Sequence, residues 1–314
     1  MYNVRDIEFD NELVPEAVTN AWIAQLSRDM EEAVCFDYQS LYHLRFDRTT
    51  IPGVHERKLY FATAGAPCVG KSTELDLELA RQIDPRYNNA VLIDPDRWVM
   101  EYMTHTYRPL LSAGAIAEYG VADAMMRAYT LARPGSNIIA NLLLNEAFEE
   151  GRHIVHGTTL TTPHTADLLK KLGSEGYERR LMLCYSEEAT RKDAAHHRMH
   201  VQGQYQVEAS DLALKTRLFP QRMKDYFAHG DNLLLMWKDH ATTEAVLAAE
   251  YTEGTMYVHD ESAFDAFKNK YAADRAGLKK DGIFLLDWND IETAYMNRQD
   301  WRQNSFDMAP KLHP

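Results

Sequence analysis

Cysteine is scarce in this chain: Cys35, Cys68 and Cys184 are the only three in 314 residues, and their spacing matches no metal-ligand pattern. An odd, scattered set excludes a disulfide framework and a cysteine-built zinc site, so three reduced thiols are expected. Long apolar runs are missing as well. The longest, residues 138–144, is interrupted by Asn141 and is far too short to span a bilayer. The opening MYNVRDIEFD has no apolar signal core, and the expected location is the cytoplasm. Basic residues are in deficit, 34 Lys and Arg against 47 Asp and Glu, for a net charge of −13. That balance speaks against membranes and against extended nucleic-acid binding, so any phosphate site must be locally basic. Gly/Ser-rich linkers and repeats are absent too, while 45% hydrophobic residues suffice for a sizeable core.

One stretch organises what is there. Residues 58–64, KLYFATA, are apolar and β-prone, as a buried parallel strand requires. They run into Gly65, Ala66, Pro67, Cys68, Val69, Gly70, Lys71, Ser72 and Thr73, the spacing of a phosphate-binding loop. The two glycines let successive backbone N–H groups face a polyphosphate, Lys71 reaches its outer phosphates, and the Ser72 hydroxyl is a Mg²⁺ ligand. Leu75, Leu77 and Leu79 belong to the following helix, whose positive end points at the same anions.

Around this stretch the pattern alternates between strand and helix. From Pro15, the residues Val18, Trp22, Leu26, Met30 and Val34 predict one amphipathic helix. Residues 90–93 predict a short strand ending in Asp94-Pro95-Asp96-Arg97, at the edge where open parallel sheets place ligands. Carboxylates there either orient Mg²⁺ and accept a proton from an attacking hydroxyl, or merely cap the next turn. Helices are predicted over 121–133 and 136–150, separated at Gly135, then strands over 153–158 and 177–185. A polar run from Glu187 carries Arg191, Lys192, His196, His197 and Arg198 at helical spacing, either a solvated face or a lid of cations. A helix over 212–227, interrupted at Pro220, and a strand over 232–237 complete a five-stranded parallel sheet with helices on both faces. The expected fold class is α/β, with an N-terminal helical segment (1–57), a phosphate-loop core (58–240) and a C-terminal extension packed on it (241–314). Within that extension, 246–251 and 264–271 read as helical, and 256–258 and 283–287 as extended.

The order GAPCVGKST, VLIDPD, a helical region, then HIVHGTTLTTPHTADLLKKLGSEGYERRLMLCYS resembles the zeta-toxin-like small-molecule kinases over about residues 58–239. The resemblance implies a kinase using ATP and Mg²⁺, with Asp96 as the base that activates the acceptor hydroxyl and Lys71 as the loop lysine. Arg198 falls near the family's lid arginine, and Asp94, Arg97, His156 and Thr158 fall on the acceptor side. Three positions depart from the family. His156 replaces a glutamate, Leu160 an arginine, and Glu208 stands near a second lid arginine. The first two family residues contact a nucleotide sugar, so their loss turns the expectation from UDP-N-acetylglucosamine towards the effector branch that phosphorylates the adenosine ribose of NAD. A small-molecule nucleotide substrate, an antitoxin or chaperone partner and, for a secreted effector, the host cytosol follow from the same resemblance. A nucleotide-gated binding module or a polynucleotide kinase stays open. A GTPase is disfavoured because Asn269-Lys270-Tyr271-Ala272 lacks the guanine-reading aspartate.

Overall fold

A computed structural model of the chain describes residues 4–7, 13–200 and 209–298. After a 3₁₀ turn at Val4–Asp6 come helices α1 (Glu16–Ile23) and α2 (Arg28–Phe46). Strand β1 (Leu59–Ala64) follows, buried at all six positions, then α3 (Lys71–Arg81) and β2 (Ala90–Ile93). Two short helices, α4 (Tyr107–Leu110) and α5 (Ala113–Tyr119), lead into the long α6 (Val121–Glu149). The core then alternates through β3 (His153–His156), α7 (Thr165–Ser174), β4 (Glu178–Ser186), α8 (Glu188–His200), α9 (Ala209–His229) and β5 (Asn232–Lys238). Last come β6 (Val246–Thr252), β7 (Thr255–Val258), α10 (Glu261–Lys280) and α11 (Trp288–Met296).

The strands form one sheet in the order β2-β3-β1-β4-β5-β6-β7. The five parallel strands stand where the sequence places them, but the sheet has seven, because β6 and β7 add antiparallel to β5. Residues 246–251 were expected to be helical, since VLAAEY is rich in helix formers. They are extended because β5 otherwise leaves a row of unpaired backbone groups at an apolar edge, and pairing outweighs local propensity.

Three helix readings also differ, the first being that α9 runs unbroken through Pro220, where an interruption is expected from sequence. The helix expected from Pro15 to Val34 is two helices, closed by three-residue turns at Gln25 N–H to Trp22 and Leu26 N–H to Ile23 and restarted at Ser27. The pair expected on either side of Gly135 is one helix running through Pro134 and Gly135. Gly135 marks a close crossing, not an end. A Cβ there would lie 2.6 Å from Val34 Cγ2 of α2 and 3.2 Å from Met103 Cε. The segment over 283–287 is not a strand.

Alternation along β1 splits the core. Tyr60, Ala62 and Ala64 face the larger cluster with α2, α6 and α9, and Leu59 and Phe61 face a smaller one completed by Val69 and Leu75. On the larger side, Trp288 of α11 meets the rings of Phe227, Phe264, Phe267 and Tyr271. Because β1 to β5 are all parallel, their carboxyl ends share one rim. That rim carries the loop after β1, the Asp94–Arg97 turn after β2, Gly157–Thr158 after β3, α8 after β4, and Lys238 ending β5.

Candidate active site

The loop after β1 has the backbone of an anion cradle. Gly65 has φ +144° and Gly70 φ +88°, and Cys68 also lies at positive φ, +65°. The glycines are dictated by contact as well as conformation. A Cβ on Gly65 would overlap the Cys184 carbonyl, and one on Gly70 would sit 3.0 Å from Lys238 Nζ. The Gly65 N–H donates to the Thr159 carbonyl at 3.0 Å, which ties the loop to the segment after β3. Lys71 donates from Nζ to the Ala66 carbonyl at 2.6 Å, and burial pushes its pKa down to about 8.

Cations gather around this loop although the whole chain is acidic. Arg198 of α8 lies near enough to bias the Cys68 thiol, Lys71 and Lys238, and Lys215 of α9 also acts on Lys71. Burial nevertheless dominates at Cys68 and pushes its thiol up. Arg191, one turn into α8, is 2% exposed. One of its nitrogens, Nη1, donates to the Thr216 hydroxyl, while Nε and Nη2 are buried with no hydrogen-bond partner among the described residues. Such unmet donors are costly unless something else accepts from them. The polar run is therefore more than a solvated face at this position: Arg191 is buried beside the loop.

The two acids after β2 part company. Asp94 is 6% exposed and accepts from the Asp96 N–H at 2.9 Å and the Arg97 N–H at 3.1 Å. Burial, reinforced by the neighbouring charge of Asp96, raises its pKa to about 6. Gly157 makes room for it, since a Cβ there would fall 2.8 Å from Asp94 Cβ. Asp96 points outward, with its side chain 52% exposed, into an ion pair with Arg133 and a 3.3 Å hydrogen bond from the Tyr129 hydroxyl, both on α6. Arg97 turns back to the loop helix, pairing with Asp76 and donating to the Ser72 carbonyl at 3.3 Å. The turn is thereby strapped to α3 while its second acid faces α6.

The strand after the helical region supplies no free charge. His156 Nδ1 shares a 2.9 Å hydrogen bond with the Tyr60 hydroxyl, and burial lowers its pKa to about 4, so the ring is neutral near pH 7. The Thr158 hydroxyl accepts from the Leu160 N–H at 3.2 Å, while Thr63 exchanges hydrogen bonds with the Thr158 backbone. Leu160 is buried at φ +49°, its carbonyl taken by Tyr226 and Thr165. Glu208 lies outside the described residues.

A cavity of about 450 Å³ opens between Glu101, Tyr107, Arg108 and Leu111. Burial, then the charges of Glu101 and Asp96, raise the Tyr107 phenol, which places this cavity within electrostatic reach of the outward acid. Among the described residues no group of three or more His, Cys, Asp or Glu is arranged to hold a metal ion. The Ser72 hydroxyl at the start of α3 is a hard oxygen donor, the kind Mg²⁺ accepts alongside phosphate oxygens and water. Among the same residues no helix is long and apolar enough to cross a membrane.

Sequence reasoning missed Lys238 and Arg133. The only signal for Lys238 was its place at the end of a predicted strand, and Arg133 carried none.

The profile of the zeta toxin family matches residues 45–229, more than half of the chain. No curated protein matches it by sequence. Among solved structures, the native AvrRxo1-ORF1:-ORF2 complex is similar at 12% identity, with 94% of this chain and 98% of that chain covered and a TM-score of 0.52. A structure from the PezAT chromosomal toxin-antitoxin system of Streptococcus pneumoniae matches at 13% identity over 90% of this chain and 97% of that one, TM-score 0.47. AvrRxo1-ORF1:-ORF2 with ATP matches at 12% over 95% and 99%, TM-score 0.47.

Proposed function

The chain belongs to the zeta toxin family, whose members are kinases, and from that premise we propose that it transfers the γ-phosphoryl group of ATP to a hydroxyl of a small nucleotide-containing metabolite. The observation that carries this reading is the strap formed by Arg97. Its contacts to Ser72 and Asp76 hold the Asp94–Arg97 turn against the phosphate loop, so an exposed carboxylate and an anion cradle share one rim.

Asp96 takes the proton of the acceptor hydroxyl, whose oxygen forms a new bond to the γ-phosphorus as the bond to the β,γ-bridging oxygen breaks and ADP leaves. Asp94 holds Asp96 in place through the backbone. Arg133 and Tyr129 aim the base carboxylate from α6. Lys71 and the loop amides hold the phosphates, and Arg191 and Arg198 stabilise the charge that moves through the transferred group. Mg²⁺, when bound, neutralises phosphate charge, and Ser72 is the ligand this chain offers it.

For the acceptor, the adenosine ribose of NAD is the preferred substrate. Neutral His156 and buried Leu160 provide none of the charged grip that a UDP-N-acetylglucosamine kinase of this family uses. Arg133 pairs with Asp96, and Arg108 lines the cavity whose Tyr107 feels the Asp96 charge, which favours an acceptor carrying phosphates. Membership of a toxin family, and a similar fold solved as a two-protein complex, support a small antitoxin partner in the cell that makes this protein. The test is incubation with ATP and Mg²⁺ and a panel of NAD, UDP-N-acetylglucosamine, nucleosides and a DNA oligonucleotide. Phosphate on NAD is expected, and phosphate appearing only on the oligonucleotide end would remove the small-molecule reading.

A further inference from the structure

Lys238 ends β5 on the loop side of the rim, only 6% exposed, with its ammonium lying against Gly70. Among the described residues its Nζ donates no hydrogen bond. Burial of the side chain lowers its pKa, with Arg198 adding to the push. Glu74, one turn into α3, acts on it with the opposite charge, and its carboxylate is itself buried and accepts from the Ala245 N–H at 2.7 Å.

The sheet order says which part of a nucleotide would meet this lysine. The acceptor side, with Asp96, follows β2, and β2 and β3 lie on one side of β1. Strands β4 and β5 lie on the other. An in-line displacement puts the attacking oxygen and the leaving diphosphate on opposite sides of the γ-phosphorus. The leaving diphosphate therefore runs from the loop towards β4 and β5, where Lys238 stands. Resting on the kinase reading above, we infer that Lys238 is a second phosphate-binding lysine of the cradle, holding the non-transferred phosphates of the nucleotide. Gly70 is the residue that lets it come this close, and Glu74 balances its charge from behind.

Calorimetric titration of the full-length protein with ATP and, separately, with inorganic tripolyphosphate tests this. Lys238→Met is expected to weaken both about tenfold with an unchanged unfolding midpoint, as loss of one charged hydrogen bond does, and Lys238→Arg to stay within about twofold of the parent. Lys238→Gln, which keeps most of the stem, gives the same readout if the methionine variant is unstable. Wild-type affinity for both probes in the Met or Gln variant would overturn the assignment. Lys71→Met serves as the control: if the parent binds ATP and Lys71→Met does not, while Lys238→Met binds normally, this inference alone falls. A parent protein that binds neither probe overturns the kinase reading with it.

Discussion

Burial of the Lys71 ammonium brings its pKa to about 8, so the free protein loses a large share of that charge just above neutrality. Phosphate binds the protonated form, and that form is depleted as pH rises through about 8. ATP affinity should therefore fall about tenfold between roughly pH 7 and pH 9, and Lys71→Arg should flatten the profile because guanidinium stays charged. Titrations across that range check it, and a parent profile flat to pH 9 would show the lysine is not the group that binds. The loop residues were legible because their spacing is itself the chemistry. The division of labour between Asp94 and Asp96 was legible only through the family resemblance, which makes Asp96 the base, and not from spacing. Two acids in one tripeptide read alike until the backbone turns one inward onto its own N–H groups and the other outward to Arg133, which lies 37 residues away in sequence. Asp94→Ala is expected to cost about 1–2 kcal/mol of stability by loss of that cap, read from urea unfolding. An unchanged midpoint would deny Asp94 its capping role.

At the scale of elements, the turn after β2 and the segment after β3 interlock through one atom's worth of space. Gly157→Ala drives a methyl group into Asp94, and the expected outcome is loss of roughly 1–3 kcal/mol with a matching fall in phosphoryl transfer, since Asp96 moves with its cap. Parallel measurement of unfolding and turnover decides it, and a fully active, fully stable variant would mean that the turn does not depend on this contact. Where element reading from sequence erred, packing had overruled a local signal. Gly135 has the composition of a helix end, yet its missing side chain is what allows α6 to pass Val34 and Met103. Residues 246–251 have the composition of a helix, yet β5 needed a neighbour. Neither need is visible in a window of ten residues, whereas β1, β2, β4 and β5 were plain because continuous apolar runs have few other uses.

For the whole molecule, the last sixty or so described residues are part of the core. Tyr251, Phe267, Trp288 and Tyr295 pack on Phe227, on one another and on the larger face of the sheet. Trp288→Ala should cost about 3 kcal/mol, and a chain ending at residue 240 should fail to give a cooperative unfolding transition, because it bares β5 and α9 together. A truncated chain that melts like the parent would show that this region is dispensable. The same scale explains how an acidic protein can present a locally cationic site. Its net charge of −13 is spread over the whole chain, while Lys71, Arg191, Arg198, Lys215 and Lys238 are brought to one end of the sheet from four different elements. The local basicity was anticipated as a requirement, but its members beyond Lys71, Arg191 and Arg198 depended on a topology that sequence spacing does not reveal.

Phosphoryl transfer by this chain depends on Asp96 acting as the base. The direct measurement is phosphoryl transfer from ATP to NAD by the parent and by Asp96→Asn, with ATP affinity titrated in the same preparations. Turnover should drop by about 10²–10⁴-fold while ATP affinity stays within about twofold. Equal turnover in the two proteins would contradict the mechanism.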